Sequence, residues 1–170
     1  SGPLNSFLRL NLTYDREAGR IEMRHTAYRR NIFERFKLSA EIKSNSPYLA
    51  DNKNIVWDDA RHTPMLQNYR AIVASWIVDM NTCEPYAATA MLHLCMKMHA
   101  PTSDDALALD AFMRYMATHI DRPFVIQRPP VEGADQRQLK ISIFTDSSHG
   151  DADDPKRRST LGEINFCGTT

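Results

Sequence analysis

Cysteine is scarce in this chain, with 3 residues in 170, and no two of them form a CxxC pair. Cys83, Cys95 and Cys167 make an odd count, so the disulfide framework that stabilises many small secreted domains is not expected. No apolar run approaches the roughly 20 residues that a membrane helix needs, and no signal-peptide pattern opens the chain. These absences predict an intracellular protein, nuclear or cytoplasmic, with reduced thiols and no membrane partner.

An excess of positive charge is also missing. Lys and Arg together number 21 and Asp and Glu together number 21, so the formal net charge is zero. Dedicated nucleic-acid-binding proteins usually carry a basic excess, so any such binding here must depend on a local patch. Hydrophobic residues make up 42% and charged residues 25%, which is typical of a folded globular chain.

The first segment has the pattern of a β-hairpin followed by a helix. Leu8, Leu10, Leu12 and Tyr14 alternate with polar residues, a turn-like stretch at 15–19 follows, and the alternation resumes at 20–24. Thr26 is a plausible N-cap for a helix that ends near residue 39. The apolar face of this helix consists of Tyr28, Ile32, Phe33 and Phe36.

The middle of the chain is predicted to be helical after an irregular connector over 40–64, in which Ile55, Val56 and Trp57 form an anchoring apolar spot. Helical periodicity predicts three helices, over about 65–79, 85–99 and 103–119. Thr102 or Ser103 can cap the third of them. A short strand over 123–127 closes this region.

Alternation returns near the end of the chain. Residues 128–138 are typical of a loop or linker, 139–145 predict a strand, and 159–166 predict its antiparallel return strand. The predicted fold class is therefore α+β. The predicted parts are 1–64 (hairpin, helix and connector), 65–127 (helical region) and 128–170 (linker and terminal hairpin).

Several segments, in order, resemble one known family. They are Phe7–Leu10, Tyr14–Ile21, Phe33–Phe36, Tyr69–Ser75, Met98–Thr102, Phe112–Met116, Phe144–Ser148, 150–154 and 157–162. This ordered set resembles the end of the palm, the thumb helix, the connection and the start of the RNase H domain of copia-type retrotransposon reverse transcriptases. The resemblance implies a hairpin with a thumb helix, a helical connection bundle, and a terminal hairpin like the first strands of an RNase H-like domain.

The chain also departs from the family pattern. It has Thr82–Tyr86 where the family usually has TRPDI, Met116–His119 where the family has LKGT, and His149 where the family has Trp. Basic residues are lost at two of these places. Such departures fit a decayed, truncated or domesticated copy.

Catalysis by this chain alone is not expected. Polymerase and RNase H chemistry both need several carboxylates around two metal ions. The family's YVDD strand is absent, and Asp146 matches only the first RNase H carboxylate, since the next would lie beyond Thr170. Asp146 alone cannot build the site, and an aspartate that caps a turn is the alternative interpretation. Mg²⁺ is implied only for the intact parent enzyme.

Cationic side chains are the remaining candidates for a site. The thumb helix of the family packs along the primer–template duplex, so the resemblance implies phosphate contacts from Arg29, Arg30, Arg35 and Lys37; Arg157 and Arg158 are further candidates. Solvated surface is the alternative for all six. The histidines show no metal-ligand spacing with a matching acid, and His93, Cys95 and His99 share one predicted helix without forming a convincing zinc pattern. No metal site and no cofactor are predicted.

Two functions are therefore carried forward. The first is a non-catalytic scaffold that binds an unknown protein partner or associates with itself, consistent with the missing carboxylates and the lost basic residues. The alternative is a nucleic-acid-binding fragment that contacts the backbone of an RNA–DNA or DNA duplex through the thumb helix.

Overall fold

The computed structural model describes residues 6–7, 10–127, 139–148 and 160–169, and it describes side chains for 10–127. The protein is mixed α+β and mostly helical, which confirms the predicted fold class at this level. The chain divides into two units. One unit comprises residues 1–15 and 21–126 and contains the helices, and the other comprises residues 16–20 and 127–170 and contains the last two strands.

The first three strands of the chain form a four-stranded sheet with a strand at residues 124–127. Its strands are β1 (Ser6–Phe7), β2 (Leu10–Asp15), β3 (Arg20–Arg24) and β4 (Phe124–Gln127), in that spatial order. The predicted β2–β3 hairpin is confirmed, and Gly19 takes the left-handed conformation (φ 59°) in its turn. The buried face of β2 is shorter than predicted, because Leu10 is buried whereas Tyr14 is exposed.

In the described part of the chain, five α-helices follow the hairpin. They are α1 (Thr26–Arg35), α2 (Asp59–Gln67), α3 (Tyr69–Met80), α4 (Ala88–Met96) and α5 (Ser103–Thr118). The N-cap of α1 is His25 rather than Thr26. For α5 the predicted cap is confirmed: the Thr102 hydroxyl accepts from the Asp105 amide, and the Asp105 carboxylate accepts from the Thr102 amide at 2.8 Å. This reciprocal capping box fixes the start of the longest helix.

The predicted connector and the first predicted helix of the bundle need correction. The irregular segment ends at Asp58, whose carboxylate accepts from the amide of Ala60 at 3.0 Å and starts α2. The single helix predicted over 65–79 is the end of α2 plus α3, which meet at Asn68. Of the predicted anchoring spot only Ile55 is buried, while Trp57 is 39% exposed and donates its indole N–H to Asp59.

The hydrophobic core has Trp76 of α3 at its centre. Its ring meets Phe33 of α1 and Phe112 of α5 edge to face, with centroid separations of 5.9 and 6.0 Å. The core therefore joins residues on both sides of the predicted boundary at 64/65, and that boundary falls inside α2. In α4 the buried residues are Ala90, Met91 and Leu94, whereas Leu92 is exposed.

The second unit contains an antiparallel pair of strands, β5 (Leu139–Ser148) and β6 (Thr160–Thr169). Leu139 lies opposite Thr169, and Ser148 lies opposite Thr160. The predicted terminal hairpin strands are thus confirmed, and both are longer than the alternation indicated. Among the described residues, none of the helices combines the length and apolar character needed to cross a membrane.

Candidate functional site

A basic groove lies between the end of α1, α2 and the start of α3. Its volume is about 630 Å³, and it is lined by Arg35, Phe36, Lys37, Leu38, Ser39, Ala60, Arg61, Pro64, Asn68 and Ala71. Three of these residues are cationic and none is acidic. The groove therefore combines an apolar surface with a positive charge that its own lining residues do not neutralise.

The end of α1 determines where two of these cations lie. The amide of Leu38 donates to the carbonyl of Phe33 at 2.8 Å, and the amide of Lys37 donates to the carbonyl of Glu34 at 3.1 Å. These two bonds form a Schellman motif, which requires a left-handed residue after the helix. Lys37 occupies that position with φ 53°, although glycine is the usual choice. The motif turns the chain so that Arg35 and Lys37 both border the groove.

Arg61, the third cation, forms an ion pair with a buried carboxylate. Asp110 of α5 accepts from Nε of Arg61 at 2.8 Å and from Nη2 of Arg114 at 2.8 Å, and it lies 3.3 Å from Nε2 of His62. Burial alone would raise the pKa of Asp110, but the hydrogen bonds and charges of Arg61 and Arg114 outweigh it and hold the pKa below its usual value. Two guanidinium groups against one carboxylate leave this cluster with one excess positive charge.

The predicted phosphate contacts have different surroundings. Arg35 and Lys37 are exposed and border the groove, with the Arg35 guanidinium 5.0 Å from the centroid of the Phe36 ring. Arg30 is exposed but pairs with Asp121 at 3.3 Å. Arg157 and Arg158 lie outside the described residues. Asp146 is in β5 opposite Gly162, and its side chain is also outside the described part.

Arg29 requires a correction. Its side chain is fully buried, and its Nε donates to Oδ2 of Asp79 at 2.8 Å while Nη2 donates to Oε2 of Glu84 at 3.3 Å. Nη1 donates to the carbonyl of His119 at 2.6 Å. A guanidinium with these partners is not available to a phosphate backbone. Arg29 is a structural residue that connects α1 to the ends of α3 and α5.

Glu84 extends this buried ionic network toward the surface. Its carboxylate accepts from the Tyr115 hydroxyl at 3.2 Å and from the guanidinium of Arg122. Burial raises the pKa of Tyr115, whose hydroxyl also accepts from Arg122. Two arginines and two carboxylates, counting Arg29 and Asp79, balance in charge, which is how buried ions are usually accommodated.

The same network places three possible metal ligands together. His25, Asp79 and Cys83 each direct one ligand atom into a common space, and these atoms lie within 4.8 Å of one another. All three residues are buried, and Nδ1 of His25 is 3.0 Å from Oδ1 of Asp79. Sequence spacing does not reveal this group, because His25 lies 54 residues before Asp79 in the chain. The one sequence signal was the i,i+4 spacing of Asp79 and Cys83.

The groups in the buried cluster and along the groove limit the chemistry of each. Burial, and then the charge of Asp79, raises the pKa of the Cys83 thiol, so this thiol is a poor nucleophile at neutral pH. The groove contains no carboxylate that could hold the two metal ions of phosphoryl transfer, and it lies in the part of the chain for which side chains are described. Its three cations and apolar lining suit a ligand with negative charges and some apolar surface.

Comparisons with known proteins give no relative for this chain. No protein-family model, no curated protein and no solved structure matches it.

Proposed function

We propose that this chain is a non-catalytic protein-interaction scaffold derived from a copia-type reverse transcriptase, and that its basic groove binds an acidic segment of a partner protein. The observation that carries the proposal is the groove itself, with Arg35, Lys37 and Arg61 on its lining and no acidic residue among them. In a chain of zero net charge, this is a local concentration of one sign of charge.

An acidic peptide with apolar residues fits the groove better than a purely ionic ligand does. Phe36, Leu38 and Pro64 give the groove an apolar surface that a partner side chain can cover. Exposed ion pairs contribute only about 0.2–1 kcal/mol each, so charge alone would give weak affinity. Apolar contact would supply the remaining affinity, and the cations would select acidic partners and speed their association.

A nucleic-acid duplex is the second candidate. The resemblance to a thumb helix favours it, and so do the exposed cations Arg35 and Lys37. Two features weaken it: Arg29 is buried, and Arg30 pairs with Asp121. Arg35 and Lys37 would then supply about two phosphate contacts. A plot of log affinity for DNA against log salt concentration would have a slope of only about −2.

The two candidates can be separated by one set of titrations. Fluorescence anisotropy would follow four labelled ligands. They are a peptide of alternating Glu and Leu, a charge-reversed peptide of alternating Lys and Leu, a DNA duplex and an RNA–DNA hybrid. The test variant is Arg35→Ala/Lys37→Ala. The charge-matched control is Lys53→Ala/Lys97→Ala, which removes two exposed cations that do not line the groove.

We expect the Glu/Leu peptide to bind, and the groove variant to weaken that binding about tenfold, equivalent to about 1.4 kcal/mol, while the control leaves it unchanged. Duplex binding that exceeds peptide binding and is lost in the groove variant would replace the scaffold proposal with the nucleic-acid one. Equal weakening by both variants would mean that general charge, and not the groove, is responsible.

A further inference from the structure

Three residues of different donor type meet at the junction of α1 and α3. His25 caps the start of α1, Asp79 lies in the last turn of α3, and Cys83 follows in the next loop. Imidazole nitrogen, carboxylate oxygen and thiolate sulfur are all ligands that Zn²⁺ accepts in proteins. All three side chains are at most 2% exposed, so this is an enclosed cluster and not a chance meeting of surface groups.

The distances are close to those of a tetrahedral centre. With zinc–nitrogen and zinc–oxygen bonds of about 2.0–2.1 Å, two such ligand atoms lie about 3.3 Å apart. Nδ1 of His25 and Oδ1 of Asp79 are already 3.0 Å apart. The sulfur of Cys83 is within 4.8 Å of both, so a movement on the order of 1 Å would bring it to a zinc–sulfur distance of about 2.3 Å.

Surrounding residues hold the carboxylate in the orientation that a ligand needs. Nε of Arg29 donates to Oδ2 of Asp79 at 2.8 Å, which leaves Oδ1 directed toward His25. Outer hydrogen bonds of this kind orient metal ligands and are a usual part of metal sites. The Thr82 hydroxyl lies 3.4 Å from Nδ1 of His25 and adds a polar group beside the cluster.

The net charge around the cluster is compatible with a bound divalent ion. Binding would release one proton from the Cys83 thiol, giving three negative groups with Asp79 and Glu84 against four positive charges on the metal, Arg29 and Arg122. The one excess positive charge can be solvated, since the Arg122 side chain is 29% exposed.

We propose that His25, Asp79 and Cys83 bind one zinc ion, with a water molecule as the fourth ligand, and that this ion joins the start of α1 to the end of α3. The site is independent of the basic groove and of the scaffold function. Because the ion would join two helices and be released on unfolding, its binding would stabilise the folded state.

Cobalt substitution tests the site directly. The full chain, freed of metal by dialysis against a chelator, would be titrated with Co²⁺, which shows thiolate charge-transfer absorption and intense visible bands in a tetrahedral site. The test variant is Cys83→Ser. The control is Cys95→Ser/Cys167→Ser, which keeps Cys83 as the single thiol of the chain.

We expect wild type and control to bind one equivalent of Co²⁺ with both spectral features, zinc to displace it, and zinc to raise the melting temperature. In Cys83→Ser the charge-transfer band should disappear, and zinc affinity should fall about 100-fold or more, since loss of an outer partner alone costs about 10–100-fold. Absence of the bands in folded wild-type protein, or their persistence in Cys83→Ser, would overturn the proposal. The cluster would then be a hydrogen-bonded ionic network only.

Discussion

Arg29 and Asp79 form an ion pair in which neither side chain reaches solvent, with Nε 2.8 Å from Oδ2. The pair joins the first turn of α1 to the last turn of α3, which are 50 residues apart in the chain. A buried guanidinium is expensive to leave without its partner, so the two helices depend on each other at this point.

Asp79→Asn is therefore expected to be strongly destabilising. The substitution keeps the shape of the side chain but leaves the buried charge of Arg29 partly uncompensated, and we expect the free energy of unfolding to fall by about 3–5 kcal/mol. Urea denaturation of the metal-free protein would measure this change without any contribution from bound metal.

Asp121→Asn is the matched control, because Asp121 pairs with Arg30 at the surface, with both side chains about 60% exposed. Removing an exposed pair should cost no more than about 1 kcal/mol. Similar losses in the two variants would contradict the burial of the Arg29–Asp79 pair.

The free energy of unfolding should decrease at acid pH because of Asp110. Because its pKa is lowered in the folded state, its ionised form stabilises the protein at every pH above its ordinary pKa of 3.8. That contribution is lost as the pH falls through the lower folded-state pKa. Asp110→Asn should thus destabilise at neutral pH, and its difference from wild type should shrink as the pH falls below 3.8.

The measurement is the free energy of unfolding of wild type and Asp110→Asn at several pH values between about 2 and 7. Asp104→Asn is a control in the first turn of the same helix, where the carboxylate is exposed. A difference between wild type and Asp110→Asn that stays constant with pH would show that the carboxylate is not held by Arg61 and Arg114.

Lys37 offers a substitution that should separate stability from binding. A non-glycine residue in the left-handed region costs about 1 kcal/mol, so Lys37→Gly should stabilise the fold by roughly 0.5–1 kcal/mol. It also removes a cation from the groove and should weaken binding of the acidic peptide. Lys37→Ala removes the same charge without relieving the backbone, so it should weaken binding equally and leave stability nearly unchanged. Equal stability of the two variants would contradict the left-handed geometry.

Local patterns explain which elements could be predicted from the sequence. Strict alternation identified the first hairpin and the terminal strands, because a strand with one buried face must repeat every two residues. The capping residues Thr102 and Ser103 identified the start of α5, because capping depends on residues that are neighbours in sequence. The break between α2 and α3 at Asn68 was missed, since the apolar periodicity continues across it.

The environment of the charged residues could not be predicted in the same way. The sequence predicts a phosphate contact for Arg29, with a solvated helix face as the alternative. Both interpretations leave its side chain exposed, because its partners Asp79 and Glu84 are 50 and 55 residues away in the chain. The groove depends on the turn at Lys37, which brings the end of α1 beside α2. The sequence predicts Arg35 and Lys37 as phosphate contacts and does not predict the groove itself. It gives no signal for Arg61, whose position follows from its bond to Asp110 in another helix.

The contrast between the two tryptophans gives the protein two separate optical reporters. Trp76 is enclosed between Phe33 and Phe112, with its indole N–H on the sulfur of Met113 at 3.1 Å, whereas Trp57 lies at the edge of the connector with access to solvent. Blue-shifted emission therefore comes from the centre of the core, and emission that iodide can quench comes from the segment before α2. A ligand that orders the connector changes the second signal and leaves the first unchanged, while loss of the core changes both.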